Sequence, residues 1–103
     1  MIIVQIETLQ GVENVEEIAA VEGVDIVFAA SSDLASFSGY RPGDPEYEAL
    51  ITKIHDATLA AGKWLGGPLN WYNRDGFQVF QAPSEGSFIK TGVREIIERF
   101  KNQ

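Results

Sequence analysis

Two short, mostly β-branched runs stand out near the start of the chain, Ile2-Ile3-Val4-Gln5-Ile6 and the stretch from Asp25 to Ala30. Each is too short for a helix and is closed by polar or glycine residues, Glu7 after the first, Gly23 and Ser31-Ser32 around the second. Both read as buried strands. Between them Asn14 followed three residues later by Glu17 predicts a capped helix start, and Val15, Ile18 and Ala19 recur at helical spacing until Gly23. Further on, Asp44-Pro45 predicts a cap with proline at the first helical position. Tyr47, Leu50, Ile51, Ile54, Ala57 and Ala61 then form an apolar stripe that Gly62 ends. Trp64-Leu65-Gly66 and Phe77 to Gln81 predict strands three and four, joined through turn-rich residues from Asn70 to Gly76. The last segment, from Ser84, carries Ile89, Val93, Ile96, Ile97 and Phe100 at the intervals of an amphipathic helix.

Strands that alternate with helices, and that are apolar throughout rather than at every second position, argue for a parallel sheet covered by helices. The fold class expected is therefore α/β, with four units making half of an eightfold (β/α)8 TIM barrel, and residues 1–103 forming a single domain. One connection departs from the pattern. A parallel crossover normally takes about a dozen residues or more, so no full helix fits between strands three and four.

Composition and charge narrow the chemistry. A chain of 103 residues with 45% hydrophobic and 22% charged residues is one globular domain, small enough for self-association to be a natural way to bury more surface. Eight Lys+Arg against fifteen Asp+Glu give a net charge of −7, with no basic cluster to meet a phosphate backbone, so nucleic acid is not an expected partner. No apolar run approaches the ~20 residues that span a bilayer. Met1-Ile2-Ile3-Val4 has neither the basic start nor the length of a signal peptide, and a cytoplasmic location away from membranes is expected. With no cysteine and the single His55, disulfides, thiol nucleophiles, zinc–thiolate clusters and multi-histidine metal sites are all excluded. Chemistry has to rest on carboxylates.

In parallel α/β folds the functional groups gather at the carboxyl ends of the strands. Glu7 immediately follows the first predicted strand and Asp33 the second, about one β/α unit apart, so they fall on one rim at neighbouring strands. Two hard oxygen ligands placed this way suit a divalent ion of the magnesium or manganese kind, which keeps waters and takes further ligands from a substrate. The plainer reading leaves Glu7 as an exposed acid and gives Asp33 the cap of a short helix through Leu34-Ala35-Ser36-Phe37. Elsewhere, Ser84-Glu85-Gly86-Ser87 reads as an N-cap or an anion site. Trp64, Trp71 and Tyr72 read as aromatics packed under loops, Glu46, Glu48, Glu95 and Glu98 as solvated helix faces, and His55 as an outer helix position beside Ile51 and Ile54.

Gln5-Ile6-Glu7-Thr8, followed at fixed separation by Glu22-Gly23-Val24-Asp25-Ile26-Val27-Phe28 and Asp33-Leu34-Ala35, resembles the second half of the HpcH/HpaI aldolase family, among the pyruvate-dependent class II aldolases and citrate-lyase-like enzymes. The resemblance runs from Ile2 to about Gly39, resumes at Ala60-Ala61-Gly62-Lys63, and continues faintly through Gly76-Phe77 and Ser84-Glu85. It implies strands five to eight of the family barrel. Glu7 and Asp33 correspond to the two protein ligands of a divalent metal (Mg2+, Mn2+ or Co2+). Gln5 corresponds to a residue beside bound pyruvate, and the backbone amides of Ser32 and Asp33 to those that receive the pyruvate carboxylate.

The implied reaction is reversible aldol cleavage of a hydroxy-2-keto acid to pyruvate or a similar keto-acid plus an aldehyde. A homo-oligomer is implied as well, its terminal helix packed on a neighbouring chain. The family's general base and arginine lie in the preceding half, so no catalytic residue is assigned here and the isolated chain is expected to be incomplete and nearly inert. Two departures accompany the match: Ala30-Ser31 stand where the family usually has Gly-Pro, and the connection from Leu69 to Phe77 is short. The alternatives are an acyl-CoA lyase of the citrate-lyase-like superfamily, for which no basic patch is evident, and a non-catalytic oligomerising α/β module.

Overall fold

The computed structural model describes residues 1–103. In chain order it contains β1 (Ile3–Ile6), α1 (Leu9–Glu13), α2 (Val15–Ala19), β2 (Ile26–Ala29), α3 (Ser31–Ser38), α4 (Pro45–Ala60), β3 (Trp64–Pro68), β4 (Phe77–Gln81) and α5 (Glu85–Lys101). The strands form one four-stranded sheet in the order β1-β2-β3-β4, every neighbouring pair parallel. Sequential parallel strands with helices covering one face are half of a (β/α)8 barrel.

Strand periodicity decides which side chains enter the core. Ile6, Val27, Ala29 and Leu65 point toward the helices and are buried in one cluster with Val12, Val15, Leu34, Tyr47, Ile51, Ile54 and Ala57. α4 supplies most of that cover, as its stripe predicts. Between β3 and β4 the chain makes only a 3-10 turn, Leu69–Trp71, as the shortness of the connection requires. Gly67 is needed there: a Cβ at this position would stand 2.8 Å from the Trp71 ring, which folds back onto the strand and meets Phe77 edge-on with ring centroids 5.2 Å apart.

The predicted helix starts after its Asn14 N-cap, as α2, but a further short helix, α1, precedes it. Thr8 caps α1, its Oγ1 accepting from the Gly11 N–H at 3.0 Å, and Asn14 ends α1 and begins α2. The Asn14 side chain makes no capping bond. At the opposite end of the sheet, the Lys63 ammonium donates to the Val24 and Val21 carbonyls at 2.7 and 3.2 Å, closing the turn that leads into β2. Trp71 is buried as expected of a loop aromatic, whereas Trp64 and Tyr72 are exposed.

α5 stands apart from everything else. It begins at Ser84, whose Oγ accepts from the Ser87 N–H at 3.3 Å, and it buries no residue. The molecule is correspondingly drawn out, 57 × 31 × 21 Å.

Candidate active site

Register brings the two strand ends together. Ile6 lies opposite Ala29 and Gln5 opposite Phe28, so Glu7 and Ala30 leave the sheet side by side. The Ala30 N–H donates to the Ile6 carbonyl at 3.0 Å, fixing the β2–α3 turn to the end of β1. Ala30 holds an ordinary conformation, φ −79° and ψ 86°, so the turn forms without the Gly-Pro pair usual in the resembled family.

α3 starts at once, with Ala30 as its N-cap and therefore with no capping side chain. Asp33 is not that cap but the third helical residue. The first helical bond runs from the Leu34 N–H to the Ala30 carbonyl at 2.9 Å, and the N–H groups of Ser31, Ser32 and Asp33 have no partner in the chain. Three uncommitted donors at the positive end of a helix dipole form a surface suited to a carboxylate. Proline in place of Ser31 would offer two.

These donors face a cleft of about 90 Å³ lined by Gln5, Phe28, Ala30, Ser31, Ser32, Asp33, Pro68 and Gln81. Gln5, Ser32 and Asp33, the expected substrate-side residues, thus share one cleft. Glu7 does not line it; it stands just past β1, two residues beyond Gln5, and is exposed. Neither the Glu7 nor the Asp33 carboxylate enters an ion pair within the chain. Below the rim a second cavity, about 220 Å³, is lined by Ile3, Gln5, Phe28, Val79, Phe80 and Gln81. Residues of both outer strands line it because Phe28 lies over β3 at Gly66, where a Cβ would approach its ring to 2.8 Å.

Two walls of the rim are held from behind by α4. The buried Tyr47 hydroxyl donates to the Ser31 carbonyl at 2.9 Å. Its phenol pKa is raised, first by burial and second by the adjacent Glu48 carboxylate, with Arg74 acting in the opposite direction. Glu48, half-buried, is paired: both terminal guanidinium nitrogens of Arg74 donate to its carboxylate, at 3.0 and 3.2 Å. Tyr47 reads in the sequence as one more stripe residue, and Glu48, Arg74, Pro68 and Gln81 carry no local signal. Proline at a strand end and glutamine after a run of aromatics become legible only when the sheet order is known.

His55 is elsewhere. Its Nδ1 lies 2.8 Å from the Asp56 carboxylate and its Nε2 3.3 Å from that of Asp75, in an outer cavity of about 350 Å³ that shares no residue with the rim cleft.

The family model described as HpcH/HpaI aldolase/citrate lyase matches residues 1–77. A hydroxypyruvate/pyruvate aldolase of Chromohalobacter salexigens is 35% identical over 97% of this chain and 42% of its own length. One of Pseudomonas aeruginosa is 45% identical over 97% of this chain and 40% of its own length. A 5-keto-4-deoxy-D-glucarate aldolase of Shigella boydii is 45% identical over 63% of this chain and 26% of its own length. The crystal structure of an HpcH/HpaI aldolase/citrate lyase family protein from Burkholderia cenocepacia superposes with a TM-score of 0.79 at 29% identity, over 96% of this chain and 42% of that one. The chain thus spans about two fifths of the length of the aldolases it matches end to end.

Proposed function

We propose that this chain, which belongs to the HpcH/HpaI aldolase/citrate lyase family, forms the metal- and keto-acid-binding side of a carbon–carbon lyase that interconverts a hydroxy-2-keto acid with pyruvate or a similar keto-acid and an aldehyde. The observation that carries the reading is the convergence of Gln5, Ser32 and Asp33 on one cleft whose helix donors are uncommitted. In this reading the residues form the C-terminal half-barrel of the enzyme.

Glu7 and Asp33 fit a divalent cation by the chemistry of their donors: two hard carboxylate oxygens, free of lysine or arginine partners, on adjacent strand ends. They would hold Mg2+, Mn2+ or Co2+. When bound, the cation supplies Lewis-acid polarisation of a keto oxygen. The amides of Ser32 and Asp33 receive the substrate carboxylate, and the Gln5 side-chain amide, in register with Phe28, bounds the cleft on the β1 side. Phe28 and Pro68 supply apolar lining to the same cleft. Acid–base catalysis is typically worth about 10²–10⁴-fold and an oxyanion-stabilising donor about 10²–10³-fold. By family correspondence both functions belong to the other half of the barrel, so the 103 residues alone turn over very slowly.

The exposed apolar face of α5 supports a homo-oligomer in which this helix packs on a neighbouring chain.

Calorimetry with Mn2+ and oxalate tests the binding half of the reading. Wild type is expected to bind oxalate only with Mn2+ present, and a Glu7→Ala, Asp33→Ala double variant to bind neither. Equal behaviour of the two proteins overturns the reading in favour of a non-catalytic module. Addition of an N-terminal half-barrel from a related aldolase then yields metal-dependent pyruvate release; fast turnover by the chain alone, abolished by Asp33→Ala, contradicts the division of roles.

A further inference from the structure

We infer that the first turn of α4 is a two-armed brace, with Tyr47 and Glu48 as positioning residues that hold the two opposite walls of the rim cleft. The inference rests on the keto-acid reading above for its functional meaning, but its geometry is independent of it.

The first arm reaches α3. Tyr47 is 1% exposed, and its hydroxyl donates to the carbonyl of Ser31 at 2.9 Å. Ser31 opens the turn that carries the free N–H groups of Ser32 and Asp33 and the Asp33 carboxylate. A phenol buried in the core is a rigid strut, with few torsions to relax.

The second arm reaches the far wall. The Glu48 carboxylate takes both nitrogens of the Arg74 fork at 3.0 and 3.2 Å, the paired geometry that lysine cannot reproduce. The Arg74 guanidinium lies 4.3 Å over the Trp71 ring. Trp71 is wedged against Gly67, next to Pro68 of the cleft. Glu48 therefore restrains Pro68 through one side-chain pair and one stacked ring.

Adjacent helical residues point about 100° apart, which is why two neighbours can reach two different walls. Their common base is anchored by Ile51 and Ile54, one and two turns further along α4, which are buried in the core. The distance between the carboxylate-binding turn and the Pro68 wall is thus set by one short segment of chain.

The test uses the full chain with Tyr47→Phe and Glu48→Gln, which keep side-chain volume, and circular dichroism as a check of folding. In the metal-free protein, 15N relaxation is expected to show Tyr47→Phe raising amide mobility at Ser32 and Asp33 only, and Glu48→Gln raising it at Asn70 and Trp71 only. In the Mn2+-loaded protein each variant is expected to lower oxalate affinity about tenfold, the scale of one lost hydrogen bond, and Glu48→Gln, whose arm does not reach the Asp33 turn, leaves affinity for Mn2+ alone unchanged. A merely structural role would lower the melting temperature and leave the oxalate affinity where it was. Unchanged amide mobility in both variants, or unchanged oxalate affinity despite loosened walls, overturns the brace. Failure of wild type to bind oxalate with Mn2+ overturns the keto-acid reading instead, and the mobility data then decide the brace by themselves.

Discussion

α4 and α5 are the two long helices of this chain, 16 and 17 residues, and each carries an apolar stripe. α4 buries Tyr47, Ile51, Ile54, Ala57 and Thr58 against the sheet. α5 leaves Phe88 55%, Ile89 65% and Phe100 69% exposed, together with Val93, Ile96 and Ile97. The stripe determines that a helix forms and which face wants cover; it does not determine what supplies the cover. α4 finds it because short connections hold the helix against strands of its own chain. α5 follows β4 and extends away from the sheet, burying no residue against it.

The largest expected effect separates the two helices directly. Ile54→Ala empties a fully buried site and costs about 2–5 kcal/mol, read as a shift of the urea midpoint. Ile96→Ala removes the same atoms from α5 and changes the stability of the sheet and its covering helices by no more than about 0.5 kcal/mol in dilute protein. Equal costs would mean that α5 is packed within its own chain.

Association sharpens the contrast. An Ile89→Lys, Ile96→Lys double variant places two charges on the apolar face and should weaken self-association at least tenfold by light scattering, with the circular dichroism of the fold intact. A wild type that is monomeric at micromolar concentration removes α5 as an interface.

A smaller effect is expected at high pH, and it belongs to α4 alone. Because the Tyr47 pKa is raised in the folded state, between the ordinary tyrosine pKa and the folded one the unfolded chain holds fewer protons than the folded chain. Stability therefore declines as pH rises above about 10. Denaturant melts across that range should show a decline that is shallower in Tyr47→Phe; an unchanged slope would place the titration elsewhere.

The smallest effect concerns the start of α3. The Ser31 N–H bonds to nothing in the fold, so Ser31→Pro at the first helical position changes stability by no more than about 1 kcal/mol. It removes one of the three donors at the cleft. A large loss of stability would show that this N–H supports the fold after all.

Much of the rim was legible from order and spacing. Glu7 and Asp33 follow two apolar runs one β/α unit apart, and parallel strands in register put such residues at the same end of a sheet. The extra helix α1 is missed for a local reason: its Thr8 cap lies so near the strand that the Asn14 pattern, which does start α2, masks it. The solvated reading of Glu48 missed its ion pair for a different reason, since its partner Arg74 is 26 residues away and no helical spacing points to it.

By itself the sequence determined the four strands, the long helices, the parallel class and the end of the sheet where carboxylates gather, because periodicity and chain order act over a few residues at a time. Only the tertiary structure decided that Gln81 and Pro68 share a cleft with Gln5, that Tyr47 and Glu48 reach two separate walls, and that α5 is left uncovered. Those outcomes depend on the packing of Phe28 over a glycine strand and on contacts between segments far apart in the chain, where no local pattern carries information.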